Sequence, residues 1–93
     1  MVFARDVTEK GFTPVRFRGG YAMDDVDAFL ERIRTTLAAY EQGTASGVLT
    51  AVDVVDSRFR PTKFKEGYDQ DEVDDFLDQV VAALRRHEST GGR

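Results

Sequence analysis

Apolar residues recur at three- and four-residue steps over two stretches of the chain. Val26, Phe29, Leu30, Ile33, Leu37 and Tyr40 form one stripe, and Val73, Phe76, Leu77, Val80 and Leu84 form the other. A stripe of this period marks an amphipathic helix, so long helices are predicted over about 23–40 and 70–87. The second has a clear start. Asp69 can cap it, and Glu72 stands three residues later as a capping-box partner. The first has Ala22 at the capping position, so its first turn is expected to fray. Acidic residues crowd both starts, and Arg85 and Arg86 lie near the second end, as the helix dipole favours. A shorter element precedes each long helix. "LTAVDVV" (49–55) offers Thr50 as a cap with Asp53 as its partner, and predicts a helix of one to two turns. Its counterpart "VFARDV" (2–7) carries Phe3 at the capping position and is expected to be less ordered. An irregular loop joins short to long helix in both places and closes on Gly20 or Gly67. A glycine just ahead of a helix points to a positive φ. The expected fold class is therefore all-α.

The two stretches are one unit written twice. Shifted by 47 residues, "FTPVRFRGGYAMDDVDAFLERIRTTLAAYE" (12–41) lies over "FRPTKFKEGYDQDEVDDFLDQVVAALRRHE" (59–88), with 12 identities in 30 pairs. The pairs include Pro14/Pro61, Phe17/Phe64, Gly20/Gly67, Tyr21/Tyr68, Asp27/Asp74 and Glu41/Glu88. The organisation read from this is repeat one over 1–41, a linker over 42–48, repeat two over 49–88 and a disordered tail over 89–93. Each repeat reads as helix-loop-helix. Neither can bury its stripe alone, so the long helices are expected to pack as a pseudo-two-fold pair within one chain. Swapping between two chains would bury the same stripes.

Composition narrows the chemistry. The 93 residues suit one domain with a modest core. Cysteine is absent, which removes disulfides and thiol chemistry. A net charge of −4 argues against nucleic acid as a partner. The first ten residues lack an apolar signal core, and no apolar run reaches the ~20 residues a bilayer span needs. These readings predict a cytoplasmic protein. No nucleophile–base pair, phosphate loop or dinucleotide fingerprint is present, so neither catalysis, cofactor, metal nor small-molecule substrate is expected. The acidic helix starts read as ordinary first turns, and the single histidine, His87, as a solvated helix-end residue.

The candidate chemistry lies in the loops. "RFR" (16–18) and "KFK" (63–65) each set an aromatic ring between two cations, and Arg58 and Arg60 add to the second cluster. One reading is a membrane tip, in which the ring enters the acyl boundary while Arg16, Arg18, Lys63 and Lys65 meet anionic headgroups. Another is structural. Alternation in an extended loop turns Phe17 and Phe64 into the core and leaves the cations in water. A third is contact with a protein partner. The structural reading is the preferred one, with Phe12 and Phe59 also in the core. Asp27 and Asp74 flank the apolar stripes and are expected to fix the basic loop's path by a hydrogen bond or an ion pair to it. Gly20, Tyr21, Gly67 and Tyr68 complete the structural set.

These residues resemble the DivIVA N-terminal domain. The pattern is a short "L-T-x-x-D-V" segment, then Phe, a loop, and "G-Y-D-x-D-E-V-D-x-F-L". Repeat two carries it almost whole as "LTAVDVVDSRF" and "EGYDQDEVDDFLDQV", and repeat one keeps "GYAMDDVDAFLERI". The likeness is greatest to small tandem DivIVA-domain proteins of high-GC Gram-positive bacteria. It implies a non-enzymatic scaffold at cell poles or division septa, on the inner face of the membrane, in polar growth or cell division. It implies a parallel dimer whose two loops cross at a tip and present a hydrophobic residue beside basic ones to lipid. The implied partners are copies of itself, other DivIVA-family proteins and an anionic membrane surface. Two features depart from the pattern. The long coiled coil is missing, and Gly19 or Glu66 separates the basic-aromatic triplet from Gly-Tyr. A soluble protein-interaction module without lipid contact, using a groove between helices, is the alternative function.

Overall fold

The computed structural model describes residues 1–46 and 48–91. Each repeat runs helix, strand, strand, helix. Repeat one holds α1 (Ala4–Glu9), β1 (Pro14–Val15), β2 (Gly20–Tyr21) and α2 (Met23–Glu41). Repeat two holds α3 (Ala51–Val55), β3 (Pro61–Thr62), β4 (Gly67–Asp69) and α4 (Gln70–Gly91).

The strands overturn the all-α expectation. They form one four-stranded antiparallel sheet in the order β1-β4-β2-β3. Every pairing joins one repeat to the other. Pro14 stands opposite Tyr68, Val15 opposite Gly67, Gly20 opposite Thr62, and Tyr21 opposite both Pro61 and Tyr68. The two loops thus interdigitate like clasped hands, and the fold is mixed α and β. Pro14 and Pro61 sit on the two edge strands, where a missing backbone N–H breaks no ladder.

The long helices run parallel, side by side. Val26, Ile33 and Leu37 of α2 and their counterparts Val73, Val80 and Leu84 of α4 are all at most 1% exposed. They form one core seam with coiled-coil spacing. Three pairs of equivalent residues touch each other: Phe17 with Phe64, Tyr21 with Tyr68, and Tyr40 with His87. Contact between equivalents can occur only on a two-fold axis, so these pairs trace a pseudo-two-fold line down the molecule. The Tyr40 and His87 rings stack at 4.5 Å with planes 7° apart, which replaces the expected solvated histidine with a half-buried one. α1 packs on α2, and α3 on α4.

Local starts and stops follow side-chain chemistry. Thr50 and Asp53 form the expected box at α3, at 2.9 and 3.1 Å. α1 is ordered despite Phe3. Asp6 accepts from the Phe3 N–H, and Glu41, at the far end of α2, accepts from the Ala4 N–H, both at 2.8 Å. Glu88 does the same for Ala51 at 2.7 Å. α2 ends with Gly43 at φ 73°, the left-handed stop glycine favours. α4 continues to Gly91, into the stretch expected to be disordered, and Gly92 and Arg93 lie outside the described residues, as does Gly47 of the linker.

Candidate functional site

The sheet lies where α2 and α4 begin, so the loops joining β1 to β2 and β3 to β4 cap that end of a molecule 47 Å long. Phe17 and Phe64 occupy these loops. They are 72% and 70% exposed, and their rings meet edge to face with centroids 6.5 Å apart. The expectation that alternation buries them is overturned. The physical reason is the short strand. Val15 and Thr62 are the inward residues, and each strand stops there, so the alternation never reaches the phenylalanines. Phe17 has φ 66°, a left-handed conformation that costs a non-glycine residue about 1–2 kcal/mol. Beyond its contact with Phe64, a hydrophobic residue held there faces water, where a glycine would meet the backbone's demand more cheaply.

The cations divide into two sets. Arg16, Lys63 and Lys65 are exposed beside the rings and make no ion pair among the described residues. The Lys63 ammonium lies 5.5 Å from the Phe64 ring centre. Arg18 is also exposed and pairs with Asp69 across the repeats. Arg58 and Arg60 do not join the tip. Arg60 grips Asp25 at the start of α2 through its backbone N–H at 2.9 Å and two guanidinium contacts at 3.0 Å. Arg58 turns onto the carbonyls of Ser57 and Val55, at 2.8 and 3.5 Å.

Beneath the tip, reciprocal contacts between repeats set the loop path. The Tyr21 hydroxyl donates to Asp74 and the Tyr68 hydroxyl to Asp27, each at 2.8 Å. These aspartates therefore fix the loop of the opposite repeat by a hydrogen bond to the tyrosine that closes it. Burial, then the Asp74 carboxylate, pushes the Tyr21 phenol up to about 12. For Tyr68 the bond to Asp27 comes first and burial second, again to about 12. Phe12 packs against Tyr68 and Phe76 at 5.5 and 5.9 Å, and Phe59 against Tyr21 and Phe29 at 5.2 and 5.6 Å. Both rings are half-buried against the core.

The glycine reading also needs correction. Neither Gly20 nor Gly67 has a positive φ. Both begin strands where the Thr62 side chain, with the facing backbone behind it, leaves no room for a Cβ. A Cβ on Gly20 would lie 2.8 Å from Thr62 Oγ1, and one on Gly67 2.2 Å from the same atom.

Several working residues escaped the sequence reading. Glu72 spends its carboxylate on the Thr13 N–H and hydroxyl, at 2.7 and 2.8 Å, and does not close the expected box with Asp69. Asp69 still accepts from the Glu72 N–H at 3.2 Å. Thr13 and Glu72 are the repeat equivalents of Arg60 and Asp25, so one clamp is built from two chemistries. The Glu41/Glu88 identity was a visible signal, since two exposed acids have little other reason to coincide.

No helix among the described residues is long and apolar enough to cross a membrane. No group of three metal-ligating side chains gathers among them either. Neither family models, curated proteins nor solved structures yield a match to this chain.

Proposed function

We propose that the chain is a non-enzymatic scaffold of the DivIVA type. It seats its crossed loops on an anionic membrane surface, on the cytoplasmic side at pole or septum, and serves polar growth or division by holding other proteins there. One observation carries this reading: two phenylalanines from different repeats stand together, about 70% exposed, at one end of the molecule among exposed cations. Water is a poor solvent for such a pair. Each ring stabilises binding by about 1.5–3 kcal/mol when it leaves water. Arg16, Lys63 and Lys65 each add about 1 kcal/mol near an anionic surface. Both rings belong to one chain, so their contributions combine without a dimerisation step.

The test is co-sedimentation with vesicles of phosphatidylglycerol or phosphatidylcholine. Binding is expected to the anionic vesicles alone and to fade as salt rises. Phe17→Ala/Phe64→Ala is expected to abolish it and leave the thermal melt unchanged, because exposed rings leave no cavity. Wild-type protein that ignores anionic vesicles, or a double variant that binds them equally well, would refute the reading.

A further inference from the structure

The duplicated architecture supplies an internal control for surface chemistry. Equivalent grooves run between short and long helix on the two flanks, one between α1 and α2, the other between α3 and α4. Their floors match: Val7 and Leu30 in the first, Val54 and Leu77 in the second. Their walls do not. Where the first groove is lined by Thr8 and Arg34, the second is lined by Val55 and Val81, and beyond the lining Val52 on the short helix replaces Arg5. Val52 and Val55 are 61% and 53% exposed, and Val81 is half-buried. The fold does not require valine there, since the same backbone accepts arginine and threonine on the other flank.

The charge of the second flank changes with it. Lys10 is replaced by Ser57, and the groove's exposed rim holds Asp74 and Asp78. Asp74 engages Tyr21 through one oxygen only. The one cation on this wall, Arg58, is turned onto backbone carbonyls. An apolar strip between carboxylates selects its occupant. An anionic membrane is repelled by the rim. A second copy docked through the same flank would bring the rim aspartates against each other, and the opposite flank offers it arginines in place of an apolar face.

We propose that the α3–α4 groove is a docking site for a partner's amphipathic helix, with aliphatic anchors three or four residues apart and lysine or arginine beside them. The site is single per chain and lies away from the loop tip, so it stands independently of membrane binding.

The probe is a fluorescent 18-residue amphipathic helix of leucine and lysine, with a leucine–glutamate peptide of the same spacing as its counterpart. The lysine peptide is expected to bind one per chain, at least tenfold more tightly than the glutamate peptide. Val52→Arg/Val55→Thr/Val81→Arg, which writes the first flank's residues onto the second, is expected to weaken it at least tenfold. The reciprocal Arg5→Val/Thr8→Val/Arg34→Val is expected to raise the stoichiometry to two. Val55→Arg alone, at the exposed lining position, repeats the test should the triple variant unfold, and is expected to weaken binding severalfold. No binding of the lysine peptide, equal binding of the glutamate peptide, or binding unaltered by these changes would overturn the proposal. So would a dimer in sedimentation equilibrium that the α3–α4 substitutions dissolve.

Discussion

At Gly67 a methyl group would lie 2.2 Å from Thr62 Oγ1 and 2.7 Å from the Tyr21 carbonyl. At Gly20 the nearest approaches are 2.8 Å to that hydroxyl, 3.0 Å to Val15 Cγ2 and 3.1 Å to the Tyr68 carbonyl. Gly67→Ala is therefore expected to destabilise more than Gly20→Ala, by about 1–3 kcal/mol against less; urea titration of both variants measures the order. Thr62 itself is unusual, since its buried hydroxyl lacks a partner among the described residues while its counterpart is Val15. Thr62→Val removes the unsatisfied group and is expected to raise stability by about 1 kcal/mol, or Tm by roughly 4–8 °C. The tyrosine–aspartate bonds carry a pH signature. Both phenols are raised to about 12, so the fold favours their neutral form. The stability they contribute is complete below pH 10, the ordinary phenol value, and drains as pH rises through about 12. Denaturation between pH 9 and 12 should show a steeper loss in wild type than in Tyr21→Phe/Tyr68→Phe.

The long helices are legible because each spans several turns of an unbroken apolar stripe. The sheet is not, because its strands are two or three residues long. Period-two alternation needs four to eight residues to register. Nor does any strand pair with the other strand of its own repeat, so no hairpin turn announces the sheet. The same gap hides the tip's orientation, since alternation ends at Val15 and Thr62, where each loop leaves its strand. The glycines were recognised as special for the wrong reason, because close approach and positive φ leave the same mark in a sequence. The helix ends were better signposted. Glu41 and Glu88 each reach back to the first N–H of a short helix. Glu88→Ala is expected to cost about 0.5–2 kcal/mol, in the range of a lost cap, and to speed amide exchange in α3 while sparing α1. Acid should loosen other ends. The Arg60 guanidinium holds Asp25 below its ordinary 3.8, the Thr50 N–H holds Asp53 down, and the Glu72 N–H does so for Asp69. Their contribution is present above that value and is lost as pH falls through the depressed ones.

On the scale of the molecule, sheet and seam both lie between the repeats. Neither half holds a paired strand of its own, and each presents a bare stripe. Separately made halves, residues 1–46 and 47–93, are expected to show little helix when dilute. They should gain helical ellipticity on mixing, with a midpoint that moves with concentration, whereas the intact chain should melt at one temperature at any dilution. Circular dichroism over a hundredfold concentration range distinguishes the two. Halves that are fully helical at low micromolar concentration would show that the exchange of strands is dispensable.

The tether over 42–48 has a further consequence. In an assembly of two identical chains, every substitution appears twice, once on each side of the axis. A residue that suits one side must suit the other, and a residue near the axis must tolerate its own image. Joined halves escape that constraint. Arg18 faces Asp69 while Ala22 occupies the equivalent of Asp69, and valine replaces arginine on one flank alone. Each flank can thus acquire its own partner by single mutations, while the shared seam keeps the halves together.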